Sequence, residues 1–553
     1  MKNKKSKLAN YLNFTFFILI LRLCSGQVFE FPGLEAQAFG NSELEIGNRK
    51  FAGQPPLAKP VDANDATITE EPLRISIQEA ILLAMENNRS LVVERMNPDI
   101  SRTFEKEELG VFEPVLSADV SNNRAIAERL SRARSDTESQ IVDNVTGTLS
   151  LSKLFPTGTI VELGGSTNYI DSSLYSDTFT ANRLGFTVTQ ALLQGMDIRA
   201  NLARVNQARL DTLISQYELR GFTEILLEEV ESKFWDYALA QKQIEIYTDS
   251  LKLAEKQMAE TQERINVGAL AETELAAAQA EVALRRENLI NARSNVARER
   301  LNLLQLLNPP PSVNWNREII LQYQTLLPSI NLDDVEQHVQ VALKMRPDLN
   351  YARLQIRRGD LEVVKTKNGL LPRMDAFIAF GKTGYAETFY KSSQNVFGDS
   401  YDVSVGLIFA YPPANQAARA RYSRAALSKQ QLLEALENLI QLVQVDVRSA
   451  YIEVTRAREQ ITATAATRNL QEEKLRAETE KFRVGKSTSL LVAQAQRDLV
   501  ASQIAEIQSF ANYLKALVSL YRLEGSLLTR RGIASPGAEP ITLDSQKPRD
   551  MSR

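Results

Sequence analysis

The sequence predicts an α+β membrane protein, with long antiparallel α-helical hairpins forming a helical barrel joined to an oligomeric transmembrane β-barrel. Three observations carry this expectation. The body of the chain is an internal two-fold repeat, each repeat holds a very long heptad-patterned helix without an internal proline, and alternating strands lie between the helices behind an export signal.

The signal comes first. Lys2, Lys4, Lys5 and Lys7 precede the apolar run Tyr11 to Leu23. A basic segment followed by roughly 10–13 apolar residues reads as a secretory signal, too short for a spanning helix. Cys24-Ser25-Gly26 offers a signal-peptidase site, making residues 1–26 the signal peptide. Competing with it, Leu21-Arg22-Leu23-Cys24 reads as a lipobox with Cys24 acylated, although Arg22 and Leu23 stand where small residues are usual. Residues 27–72, with Pro32, Pro55, Pro56 and Pro60, read as an irregular linker. Residues 528–553, with Pro536, Pro540 and Pro548, read as a flexible tail.

The body repeats itself over 73–325 and 326–527. Val267-Gly268 returns as Val484-Gly485, an offset of 217 residues that also pairs Gln279 with Gln496 and Phe234 with Tyr451. Earlier in each half the offset is 258: Asn88 faces Arg346, and Glu113-Pro114 faces Leu371-Pro372. The difference is an insertion of 41 residues in the first half.

Each half then reads helix, strands, long helix, turn, return helix. Residues 77–111 and 333–368 predict short amphipathic helices, 197–266 and 415–483 long ones, and 270–307 and 487–524 the returns. Leu436, Ile440, Val443, Val447, Ala450, Val454, Ala457 and Ile461 alternate steps of four and three, which is a heptad seam. About 70 helical residues span roughly 105 Å, and a short helix plus a return helix adds up to the same length. Each long helix therefore predicts two half-length helices stacked end to end beside it.

The intervening segments alternate. Val403, Val405, Leu407, Phe409 and Tyr411 share one face, and Leu184, Phe186 and Val188 alternate with Arg183, Gly185 and Thr187. Residues 145–151 and 159–169 behave likewise around Phe155-Pro-Thr-Gly158. Apolar-out, polar-in strands of about ten residues suit a transmembrane barrel; a half-exposed soluble sheet has the same period. Four to six strands per chain fall short of the roughly eight that the smallest bacterial barrels use, so the barrel requires several chains.

Composition narrows the chemistry. Lys+Arg 65 against Asp+Glu 68 gives no basic excess for nucleic acid. One cysteine and one histidine, Cys24 and His338, exclude most metal sites, a disulfide framework and histidine-centred catalysis, so no cofactor and no catalytic residues are expected. His338, on a helix, reads as an ordinary surface or interface residue, and Trp235 and Tyr237 as packing. Gly485-Lys-Ser-Thr488 mimics the end of a phosphate loop, but Glu480 stands where the motif needs glycine. A periplasmic coiled-coil scaffold is the rival reading, sharing the signal and the heptads but not the lipid-type strands.

From 73 to 527 the chain resembles the TolC-type outer-membrane efflux and secretion factors. The resemblance rests on Ile75-Ser-Ile-Gln-Glu-Ala-Ile with Asn87-Asn88, on Arg346-Pro-Asp-Leu349, on Leu371-Pro372, on the paired Val-Gly turns and on Ala414-Asn-Gln-Ala-Ala-Arg-Ala420. It implies a homotrimer in outer-membrane lipid, with a twelve-stranded barrel of four strands per chain over a periplasmic α-barrel. It also implies a passive conduit joined by a periplasmic adaptor to an inner-membrane pump of RND or ABC type. Val267, Gly268, Val484 and Gly485 then sit at the tip as adaptor contacts, although a plain helix–helix turn explains the glycines equally well. Family members often close the tip with acidic residues past the second glycine; here Lys486, Leu491 and Gln494 stand there. Glu272 and Glu274 of the first repeat, with Lys486, are the aperture candidates, or simply a charged helix start. Drug, metal and protein cargo remain open.

Overall fold

In the computed structural model the described residues are 72–130, 137–173, 177–268, 270–308, 315, 317–323 and 332–543. The signal peptide with Cys24 and nearly all of the 27–72 linker lie outside them.

The first repeat opens with β1 (Leu73–Ser76) and α1 (Ile77–Asn87). Ser76 and Glu79 cap α1 reciprocally: Ser76 N donates to Glu79 Oε2 at 2.7 Å and Glu79 N to Ser76 Oγ at 3.3 Å. The single helix expected over 77–111 is in fact three pieces, α1, α2 (Arg89–Glu94) and α3 (Asn97–Leu109). The first break comes at Asn88, whose side chain accepts from Leu91 N to start α2. Pro98, which has no N–H to donate, sits in the first turn of α3. In the second repeat α7 (Val335–Met345) and α8 (Pro347–Asn368) divide at Arg346, held extended by the proline that follows.

Strands β2 (Val115–Leu130), β3 (Thr137–Leu154), β4 (Thr159–Ser172) and β5 (Phe179–Ala191) follow α3. A short α4 (Ile198–Asn201) leads into the long helix α5 (Ala203–Asn266), which returns as α6 (Thr273–Leu307). β6 (Ile319–Gln322) pairs in parallel with β1. After α7 and α8 come β7 (Arg373–Ala386), α9 (Phe389–Asn395), β8 (Tyr401–Ala410), the long α10 (Gln416–Arg483), its return α11 (Ser489–Leu523) and α12 (Leu527–Arg530).

One antiparallel sheet of six strands, in the order β2-β3-β4-β5-β7-β8, crowns the molecule. The four strands per chain implied by the resemblance are therefore corrected to six. The 41-residue insertion supplies the difference, since the first repeat threads four strands between its short and long helices where the second threads two.

Below the sheet the helices form a wall, not a globule. Its upper part is ordered α3-α5-α8-α10 and its lower part α6-α5-α11-α10. Two half-length helices thus stack beside each long one, as their lengths predict. The α10 seam is buried as expected: Val443, Val447, Val454 and Ala457 are fully covered, with Leu436 nearly so. The main core sits at mid-height, where Leu227, Phe234, Leu303, Leu304, Leu349, Leu520 and Leu527 are enclosed.

Two expectations fail here. His338 is buried at 3% exposure, not on the surface, and its Nδ1 meets the Glu524 carboxylate, which Arg530 also holds at 3.0 Å. The tail expected to be flexible instead packs as far as residue 543. Arg220, 2% exposed on α5, donates to Gly525 O and Gly537 O, both at 2.7 Å, and to Glu224 Oε1 at 3.2 Å. Arg531 pairs with buried Glu231 at 2.7 Å, Asn350 Oδ1 accepts from Ile541 N at 2.9 Å, and Tyr217 donates to Glu539 O. Three buried polar residues of one helix thus clamp a strap that sequence pattern alone reads as loose. Trp235, by contrast, packs as expected, edge-on to Tyr323 and Phe510.

Candidate functional site

The lower end of the wall is built by two turns of the same kind. α5 and α10 end on Val267 (φ −91°, ψ 7°) and Val484 (φ −93°, ψ 12°), followed by Gly268 at φ 74° and Gly485 at φ 73°. Gly268 N donates to Ile265 O at 2.9 Å and Gly485 N to Phe482 O at 3.2 Å. No atom of the described residues lies within 4 Å of where a Cβ would stand on either glycine, so the positive φ, not crowding, calls for glycine. The two valines are 78% and 63% exposed.

Polar contacts hold the turns side by side. The Arg264 guanidinium sits 5.0 Å over the Phe482 ring, and the Ser489 hydroxyl donates to Glu274. Higher up, Arg497 reaches Glu281 at 3.2 Å. Glu478 binds Lys481 at 2.6 Å and Ser487 at 2.8 Å, hydrogen bonds that hold its carboxyl below the usual range. Among the aperture candidates, Glu272 and Lys486 are exposed, whereas Glu274 is half-buried and engaged by Ser489.

At the other end the sheet has two unlike faces. Register places Leu116, Leu151, Leu163, Phe186, Phe380 and Val403 on one side, and every strand carries an apolar run on that side, confined in the first half of β2 to Leu116, Ala118 and Val120. The opposite side carries Ser117, Ser150, Glu162, Arg183, Gly381 and Asp402. On this polar side Arg183 of β5 crosses Gly381 of β7 to reach Asp402 of β8 at 2.5 Å. An apolar exterior opposite a polar interior is what lipid outside and water inside require.

Sequence reasoning missed one feature between these ends. Beneath the sheet, α3, α5, α8 and α10 border an open hollow of about 990 Å³, lined among others by Arg204, Arg358, Arg421 and Arg424. The arginines come from three helices far apart in the chain, so no local motif announces them. Among the described residues no helix is long and apolar enough to cross a membrane, and no cluster of metal-ligating side chains occurs.

A lipid-facing sheet continuous with a wall one helix thick is the build of an outer-membrane channel, and that is the class of protein the fold defines. Residues 152–309 and 338–526 match the family model of the outer membrane efflux proteins, and the chain belongs to that family. It is 22% identical over 355 residues to the outer membrane efflux protein BepC of Brucella suis biovar 1 (strain 1330), covering 64% of this chain and 74% of that one. The fold is similar to a Pseudomonas aeruginosa membrane protein at a TM-score of 0.61 and 20% identity, covering 82% of this chain and 91% of that one. It is also similar to the Campylobacter jejuni CmeC outer membrane channel at a TM-score of 0.60 and 14% identity, covering 82% and 86%. The chain is thus a transport protein of the outer membrane with a periplasmic helical extension, and the soluble-scaffold alternative falls.

Proposed function

We propose that three copies of this chain form a passive exit duct across the outer membrane, coupled through a periplasmic adaptor to an inner-membrane pump. One observation carries the reading: a single chain is an open sector. Its sheet has free edges at β2 and β8, and the helical wall below has free sides at α10 and at α3 and α6. Along α10, Leu442, Val445, Ile452 and Leu470 remain 50–71% exposed in the isolated chain. Such a row is a surface awaiting a neighbouring helix.

The adaptor contact is assigned to the paired tips. Val267 and Val484 present exposed apolar side chains on the turns that end α5 and α10, the arrangement a docking hairpin would bury. Around them Glu272 and Lys486 supply the exposed charges for a closed aperture, with Glu274 tied back by Ser489. The duct itself does no chemistry; its work is enclosure, with the energy coming from the pump.

Native mass in mild detergent tests the assembly, and a three-chain particle is the expected result. Photo-crosslinking from position 267 or 484 in cells tests the tip. Adducts with a periplasmic adaptor are expected there, and their absence alongside an intact three-chain particle would remove the docking assignment alone.

A further inference from the structure

We propose that β2 of one copy pairs antiparallel with β8 of the next in a single register, so that three copies close an eighteen-stranded barrel. This rests on the three-chain reading above and adds to it the strand count and the register.

All six strands are of membrane type, the two extra ones included. Leu116, Ala118 and Val120 of β2 lie with Leu149 and Leu151 of β3 on the apolar face, and Ser117, Asp119 and Ser121 lie with Thr148, Ser150 and Ser152 on the polar face. Leu116 and Val120 are 62% and 63% exposed. On the apolar face of β3 no charged residue occurs between Lys153 and Asp143. That interval is about 33 Å along the strand and, at a tilt of about 40°, about 25 Å of height, which matches the apolar band of outer-membrane barrels. A hairpin held outside the membrane has no use for such a band.

The two edges fit one another. Val405, Leu407 and Phe409 of β8 are 73%, 69% and 64% exposed beside a backbone edge that lipid cannot satisfy. Six strands are too few to close on themselves. Because six is even, β2 and β8 run in opposite directions, and joining them continues the up-and-down order without a parallel pair.

The internal repeat fixes the register. Within the chain β5, the last strand of the first repeat, pairs with β7, the first strand of the second, setting Gln190 opposite Ala376, Val188 opposite Ile378 and Thr187 opposite Ala379. Moving β5 forward by 217 residues lands on β8, and moving β7 back by 258 lands on β2. The transferred pairs are Leu407 with Ala118, Val405 with Val120 and Ser404 with Ser121. Apolar residues meet apolar residues on the lipid side, and serine meets serine inside. A slip of one residue in either offset would have turned one strand inside out.

Full-length chain carrying Ser121→Cys and Ser404→Cys, oxidised in outer membranes, tests the proposal. Directly opposed strand residues bring Cβ atoms to about 4.5–5.5 Å, close enough for a disulfide to form. Covalent dimers and trimers are expected at least tenfold above the single variants and above the displaced pair Ser117→Cys with Ser404→Cys. Strand counting in a cryo-EM map of the unmodified particle should give eighteen. A three-chain particle without the cross-link and with twelve strands, or one in which Glu162→Cys on β4 links to Ser404→Cys instead, overturns register and count while leaving the duct. A particle of any other chain number overturns the three-chain assembly, and the count with it.

Discussion

Replacing Arg220 by methionine keeps the length and apolar stem of the side chain but removes every bond that Arg220 itself makes to the strap. Two backbone carbonyls, of Gly525 and Gly537, lose donors at 2.7 Å, and Glu224 loses its partner at 3.2 Å in a site where both side chains are at most 3% exposed. Breaking a buried pair of this kind costs about 3–5 kcal/mol. The cost falls on the strap, because Glu231, Asn350 and Tyr217 grip it at other positions while Arg220 holds both its start and its middle. A local opening made easier by about 3 kcal/mol raises the open population roughly 100-fold. Limited trypsinolysis after Arg530 or Arg531 should accelerate by that order at pH 8. The pH dependence gives a second readout. Burial pushes the Glu224 carboxyl up to about 7, against the pull of Arg220. A carboxyl whose folded pKa is raised contributes stability below its unfolded pKa and loses it as pH rises through the folded value. Without Arg220 only the more distant Arg522 opposes the upward push, so the variant should be worst at pH 8 and partly restored at pH 5.5, each compared with wild type at the same pH. Less than threefold acceleration at pH 8, or the same acceleration at both pH values, would refute the reasoning.

Further outcomes follow from the same structure. Gly381→Ala puts a methyl 2.5 Å from the Arg183 guanidinium and opens the bridge to Asp402. Because that pair is half-exposed, the loss should stay under about 1 kcal/mol and barely move the thermal midpoint in detergent. Gly384→Ala, whose methyl would meet the backbone of Ser392 and Val396 at 2.1 and 2.4 Å, should displace α9 and lower the midpoint clearly. Val447→Ala in the fully buried seam should cost about 2 kcal/mol in unfolding experiments, whereas Leu470→Ala should leave the monomer fold intact and weaken assembly, read by native mass. Gly268→Val with Gly485→Val forces a branched residue into left-handed backbone at about 1–2 kcal/mol per turn. Assembly should survive it, and cross-linking from the tip should fall.

What the sequence made legible and what it hid divide along the range of the interactions. The α10 seam and the β8 alternation are local periodicities imposed by a buried or lipid-facing side, so eight seam residues could be read directly. The Val-Gly turns were equally plain, since a positive φ selects glycine on the spot. β2 was obscured because its apolar face holds only Leu116, Ala118 and Val120 before Asn122 and Arg124 leave the lipid zone, too short a run to stand out. The helix breaks at Asn88 and Arg346-Pro347 did have local signals, a capping side chain and a proline, outweighed by the amphipathic pattern on either side. His338 and the strap were beyond reach. The partner of His338, Glu524, lies 186 residues away, and that of Arg531, Glu231, lies 300 away. Nothing in the neighbouring residues records either.

The uninterrupted run of α5 and α10 has a consequence for inheritance. At 64 and 68 residues they measure about 96 and 102 Å, and each is flanked by helices cut to fit. The molecule is therefore a ruler graduated in heptads. Adding seven residues to one long helix lengthens it by about 10.5 Å and leaves its companions short, with one hairpin tip hanging below the other. A change of depth must be made at four helices together to keep both turns level. The distance from the outer membrane to any partner below is thus a quantity that single insertions cannot adjust, and a lineage that alters its cell envelope spacing would have to revise the partner first.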